Sequence, residues 1–379
     1  MIKEMSFLKK FGELIIFGLI AGVVIAGCGG GGSSSSMGLT QSYTSSAGAG
    51  DVMQFNVNTT NMTYSFNVVE TSYAASSAIP AASAVLPTES STGILTGKNA
   101  VGSYNVAASA DGFILGGEVF PIQNGLFVGH VIIAPIGGNL RKIPIFGVSS
   151  PITTLAGLAG TYNDQGFGCA GRSGGDVTGG SVQCASHTGT IQVSSSGAFT
   201  TCRGGNLGGA SAPSCTTIGG GTAASTLTGQ LYATATPGVY DFKTTADGYH
   251  RGWVFAFTAS GQNVAVIDHD DDYAPEFGHS IAVSQASVIS GQADGNYFVK
   301  NDIGQRHLMA VTGGTFTDTN DAGMTASGTL TYDTPWTGLV TYQYTSGIAA
   351  SGVADIATVG AFTYTSNTYP YLFGVGIKY

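Results

Sequence analysis

Asp51-Val52-Met53-Gln54-Phe55-Asn56-Val57-Asn58 alternates without a break: Met53, Phe55 and Val57 fall on one side, and Gln54, Asn56 and Asn58 on the other. A period of two marks a strand with one buried face, because successive side chains leave a pleated backbone in opposite directions. After Thr59-Thr60-Asn61 the pattern resumes with Tyr64, Phe66 and Val68, so residues 51–68 predict a hairpin.

Working outward, the same signal recurs to the end of the chain. Residues 71–95 are rich in Ala, Ser and Pro and read as an irregular excursion. Residues 101–148 carry short strands separated by Asp111-Gly112, Asn124-Gly125 and Gly137-Gly138-Asn139, turn residues that accept positive φ. Trp253, Phe255 and Phe257 share one strand face and predict core; Ser260-Gly261 turns the chain back into Val264–Ile267. Tyr371, Phe373, Val375, Ile377 and Tyr379 alternate in the last strand. That pattern resembles the terminal strand of outer-membrane barrels, but an amphipathic closing strand of a soluble module has it too. The strands also lack the even alternation over about 10 residues of a spanning barrel.

Composition supports the same reading. Charged residues make up 9% of the chain and Gly 59 of its 379 positions, whereas long soluble helices need a charged face. The expected fold is all-β: tandem antiparallel β-barrel or β-sandwich modules after a signal peptide and a flexible tether. Gly160-Thr161-Tyr162 has a counterpart in Gly295-Asn296-Tyr297, 135 residues on, with a fainter copy at Gly102-Ser103-Tyr104. A Gly-x-Tyr opening a strand resembles the start of small antiparallel barrels such as lipocalins. Repetition implies β modules at 51–150, 151–288 and 289–379. The net charge of −9 and scattered Lys and Arg exclude a nucleic-acid footprint.

The beginning of the chain is of another kind. Lys3, Lys9 and Lys10 precede an uncharged apolar run from Leu14 to Ala26, which predicts an export signal over 1–27. The run is shorter than the roughly 20 residues of a membrane-spanning helix. Ile25-Ala26-Gly27-Cys28 resembles the lipobox of bacterial outer-membrane lipoprotein precursors. That resemblance implies a diacylglycerol thioether on Cys28, palmitate-type acylation and cleavage that leaves Cys28 as the first residue. Each buried methylene contributes about 0.8 kcal/mol, and two acyl chains suffice for stable anchoring. Gly29 stands where an aspartate would signal inner-membrane retention, which by the same analogy implies the outer membrane. The Gly29–Gly32 and Ser33–Ser36 runs make 28–50 a flexible tether. A glycine run after the lipidated cysteine is similar to the surface lipoproteins of the transferrin-binding-protein B and factor-H-binding kinds, though no ligand motif of theirs is present.

Cys169, Cys184, Cys202 and Cys215 are spaced by 15, 18 and 13 residues. An even count in an exported chain predicts two disulfides, and the lack of a C-x-x-C argues against zinc. Of three connectivities, Cys169–Cys184 and Cys202–Cys215 close the shortest loops and are the expected pair.

Candidate chemistry is sparse. Asp268-His269-Asp270-Asp271-Asp272 gathers four carboxylates and an imidazole. As a loop after Val264–Ile267 it would suit Ca²⁺ or a transition metal; the alternative is a solvated acidic turn. No other cofactor is expected. Asp318–Gly323 resembles a Ca²⁺ loop without its closing glutamate and reads better as a turn. Gly171-Arg172-Ser173-Gly174-Gly175 fits G-x-S-x-G, and Gly278-His279-Ser280-Ile281-Ala282 nearly does, but neither has a strand before and a helix after it. A hydrolase would pair Ser280 with His307 and Asp268. Tyr249, Tyr273, Phe277 and Tyr369 are candidates for a pocket or interface. The expected role is therefore non-enzymatic: an outer-membrane, surface-exposed, lipid-anchored module binding a protein, glycan or small molecule. A scaffolding lipoprotein is the alternative, with a serine hydrolase or an integral outer-membrane barrel behind it.

Overall fold

The computed structural model describes residues 40–46, 50–71, 90–99, 102–112, 114–121, 125–133, 141–170, 183–208, 214–217, 226–270, 276–301, 305–357, 360–369 and 372–379. The signal, Cys28, Asn124, Gly137-Gly138-Asn139, Ser173, Asp271, Asp272 and Tyr273 lie outside them.

Three closed antiparallel barrels of eight strands follow one another. The first comprises β1 (Thr40–Ser46), β2 (Asp51–Asn58), β3 (Thr63–Thr71), β4 (Ser90–Lys98), β5 (Tyr104–Ser109), β6 (Ile114–Pro121), β7 (Leu126–Ile133) and β8 (Arg141–Val148), and closes by β1–β8 pairing. The second comprises β9 (Gly160–Ala170), β10 (Gln183–Val193), β11 (Ala198–Arg203), β14 (Thr226–Ala233), β15 (Tyr240–Thr244), β16 (His250–Ala259), β17 (Gln262–Asp270) and β18 (Glu276–Ser284). A separate two-stranded ribbon, β12 (Gly205–Gly208) and β13 (Ser214–Thr217), interrupts it. The third comprises β19 (Gly295–Asn301), β20 (Arg306–Thr312), β21 (Thr315–Asn320), β22 (Thr325–Tyr332), β23 (Leu339–Ser346), β24 (Ser351–Ala357), β25 (Ala361–Ser366) and β26 (Phe373–Lys378).

Two expectations are corrected. The first barrel begins at Thr40, inside the stretch read as tether, because Tyr43 on β1 packs into the barrel against Phe127. The polar alternation of β1 conceals the strand. Tyr104, read as a faint repeat of Tyr162 and Tyr297, lies on the fifth strand of its barrel and opens no module. Tyr162 and Tyr297 do correspond. Each stands on the first strand of its barrel and donates its hydroxyl over 2.7 Å to the carbonyl four residues earlier, Leu158 and Ala293 respectively.

A deeper repeat runs through all three barrels. Tyr64, Phe199 and Phe316 on the third strand face Gly93, Gly229 and Gly328 on the fourth. Each ring occupies the place a Cβ of its glycine would take. Glycine leaves a gap in a sheet, and a cross-strand aromatic covers it.

Each barrel is filled by its own side chains, as expected for eight strands. Phe55, Tyr64 and Phe127 fill the first; Phe199, Tyr240 and Phe242 the second; Phe316, Tyr342 and Phe362 the third. A further apolar cluster lies between the barrels. Trp253, Phe255 and Phe257 belong here: they point outward from the second barrel, into the joint core. So do Phe373, Val375 and Ile377 of β26, whose inward neighbours are Gly374 and Gly376 beneath Tyr364 and Phe362. Phe146 and Phe167, from the first and second barrels, each meet the ring of His279 and also Phe373 of the third.

Polar contacts frame this junction. Trp253 Nε1 donates to the Gly50 carbonyl over 3.1 Å, joining the first two barrels. Gln165 donates to the Val353 carbonyl and accepts from Thr363, while Thr188 meets Thr365 at 2.7 Å, joining the second and third. Lys300 bridges to Glu118 at 3.1 Å, joining the third to the first.

Candidate ligand-binding face and buried polar clusters

Asp164, His187, His269 and Ser280 lie on β9, β10, β17 and β18, four neighbouring strands of the second barrel. Each is an even number of residues from an inward apolar side chain: Asp164 two from Tyr162, His187 four from Ile191, His269 two from Ile267 and Ser280 two from Ala282. Strand parity therefore turns all four into one end of the barrel.

Arg203 Nη2 sits 3.4 Å from His187 Nδ1. A guanidinium only donates, so Nδ1 accepts and the proton sits on Nε2. That nitrogen is 3.2 Å from Asp164 Oδ2 and 3.1 Å from Ser280 Oγ. Ser280 Oγ also lies 2.6 Å from His269 Nε2. Burial works to raise the Asp164 carboxyl, but the hydrogen bond and field of His187, with His269 and Arg203, hold it below its ordinary value. Burial, assisted by Arg203 and His187, pushes His269 down to about 3.

The result is a serine between two imidazoles, those of His269 and His187. A base whose conjugate acid has a pKa near 3 takes a serine proton weakly. Ser280 is fully buried. The partners named from sequence are elsewhere. His307 is in the third barrel, where Nδ1 lies 3.2 Å from Asp318 Oδ1, and Asp268 points out of the second.

β17 continues through Asp270, so the loop expected after Ile267 begins later, and Asp268 and His269 face opposite sides of a strand. Asp268 accepts from Ser46 Oγ and from the Gly50 amide at 3.2 Å, and Ser46 Oγ lies 3.1 Å from His279 Nε2. This cluster ties the first barrel to the second. Among the described residues no three His, Cys, Asp or Glu side chains are placed to hold a metal. Asp318 faces inward and accepts from Tyr344 at 2.7 Å; Asn320 caps its turn by accepting from the Ala322 and Met324 amides.

Cys202 and Cys215 form a disulfide, joining β11 to the β12–β13 ribbon. Cys169 and Cys184 stand opposite each other in the β9–β10 register. Tyr249 and Tyr369 are exposed.

One concavity lies on the outside of the first barrel. A groove of about 550 Å³ crosses β2, β3 and β4 of the first barrel. Its walls are Thr40, Asn56, Asn58, Thr63, Ser65 and Thr92, and Gly93, Ala108 and Ala110 make it concave. Sheet register aligns the polar groups in rows: Thr40–Asn58–Thr63, and Ser42–Asn56–Ser65–Thr92. Asn56 and Asn58 were visible in sequence as the polar half of β2; their neighbours become apparent only with the register.

No protein-family model matches the chain, and no curated protein matches it.

Proposed function

We propose that the chain is a lipid-anchored protein of the bacterial outer membrane, displayed at the surface, where it acts as a binding or adhesion module. Cys28 carries the lipid, the Gly/Ser run gives reach, and the barrels present the ligand face. The observation that carries this reading is the contrast between interiors packed with the barrels' own side chains and a groove on the outside of the first barrel. Scaffolding by strand addition is disfavoured because all three main sheets close on themselves and leave no edge. Calcium bound by the 268–272 run would have to use Asp270 to Asp272, since Asp268 is engaged with Ser46 and Gly50.

The test is metabolic labelling with palmitate, combined with fractionation and protease treatment of intact cells. The wild-type chain is labelled, sediments with the outer membrane and is cut from outside. Cys28→Ala is unlabelled and unprocessed. Normal processing of Cys28→Ala, or full protection of the wild type on intact cells, contradicts the proposal.

A further inference from the structure

We infer that the groove on the first barrel binds an uncharged glycan chain. This deepens the binding-module reading and rests on it. Among the described residues, none of the side chains lining the groove is charged. Its amides and hydroxyls donate and accept, as sugar hydroxyls do, and Tyr64, Ile94, Ala108 and Ala110 make the rest of its surface apolar, as the C–H faces of a sugar ring call for. An anionic headgroup or phosphate would call for Arg or Lys there. The outer faces of the other barrels do carry ion pairs, Arg251–Asp247 and Arg306–Asp321.

The polar groups are also ordered before any ligand arrives. Asn58 Nδ2 donates to Thr40 Oγ1 over 2.9 Å, Asn56 Nδ2 to Ser65 Oγ over 3.2 Å, and Gln54 Nε2 to Ser42 Oγ over 2.5 Å. Asn58 Oδ1 accepts the Thr60 and Asn61 amides and is held by that turn. Each hydroxyl that accepts from an amide keeps its own proton to donate outward. Fixed donors lower the ordering cost of binding. The rows repeat about every 4.8 Å across strands and about 6.7 Å along them, a lattice suited to a polymer with repeating hydroxyls. Ile94, 59% exposed and paired with Thr63, adds an apolar surface for the C–H face of a sugar ring.

The intact mature chain, extracted in detergent, is passed over immobilised neutral hexose and N-acetylhexosamine oligosaccharides, and over sialylated and uronic-acid chains. Retention on a neutral chain, little changed by added salt, is expected. The pair Asn56→Ala and Ser65→Ala weakens it roughly ten- to thirty-fold, as two lost hydrogen bonds would. Thr317→Ala with Thr329→Ala, on the outer face of the third barrel, leaves it unchanged. Melting temperatures within about 3 °C of wild type show that both variants fold. No retention on any neutral chain, retention on charged chains alone, or indifference to the Asn56/Ser65 pair overturns the glycan assignment. Cells displaying the protein separate the two levels. Attachment to some other surface keeps the module reading while the glycan fails; acylated, displayed protein that attaches to nothing removes both.

Discussion

Gly229 shows how a single residue shapes a barrel. The Phe199 ring and the Lys243 carbonyl fill the space where a side chain would begin. Gly229→Ala should therefore cost about 1–3 kcal/mol, the usual penalty for overpacking, read as a lower urea midpoint. The histidines make a second prediction at this scale. Burial, with His269 nearby, pushes His279 down to about 3, and His269 is held at about 3 as well. Both are neutral in the fold but take a proton near 6.5 when unfolded. The unfolded chain binds more protons between those values, so stability is present above pH 6.5 and falls as pH drops toward 3. His307 has the opposite sign. Its hydrogen bond with Asp318 raises it despite burial, so its contribution is full below pH 6.5 and fades as pH rises through its folded value. Melting curves across pH should lose their acid slope in part in His269→Gln, and their slope above neutrality in part in His307→Gln.

At the scale of elements, β26 both closes the third barrel and supplies Phe373, Val375 and Ile377 to the joint core. The disulfide between Cys202 and Cys215 spans 13 positions, and its loss through Cys202→Ser with Cys215→Ser should cost about 3 kcal/mol on a loop-closure estimate. Denaturant titration of the two forms measures it. Much at this level was legible in sequence. The period-two face of β2 was plain because one side is core and the other solvent, and the Tyr162–Tyr297 pairing was plain because both tyrosines do the same work. β1 was hidden because Ser and Thr on both sides gave no contrast. The cluster of Ser280 with His269 and His187 was hidden for a different reason: it depends on register between strands distant in sequence. The residues of the groove share that reason. Trp253, Phe255 and Phe257 were rightly seen as buried, but alternation cannot tell a barrel interior from the seam between two barrels.

For the whole molecule, the seam is the organising feature. Phe146, Phe167 and Phe373 bring one aromatic from each barrel to one place, so the barrels should not melt apart. Phe373→Ala should cost about 3–5 kcal/mol and lower a single calorimetric transition, whereas three separable transitions would show independent barrels. Barrels packed with their own side chains leave their outer faces for recognition. The most direct test is hydrogen exchange on the intact chain, with and without the best-retained neutral oligosaccharide. Slowed exchange confined to 40–46, 54–65 and 90–96 is the predicted footprint. Protection centred on the β17 and β18 strands around Ser280, or no protection at saturating oligosaccharide, would contradict it.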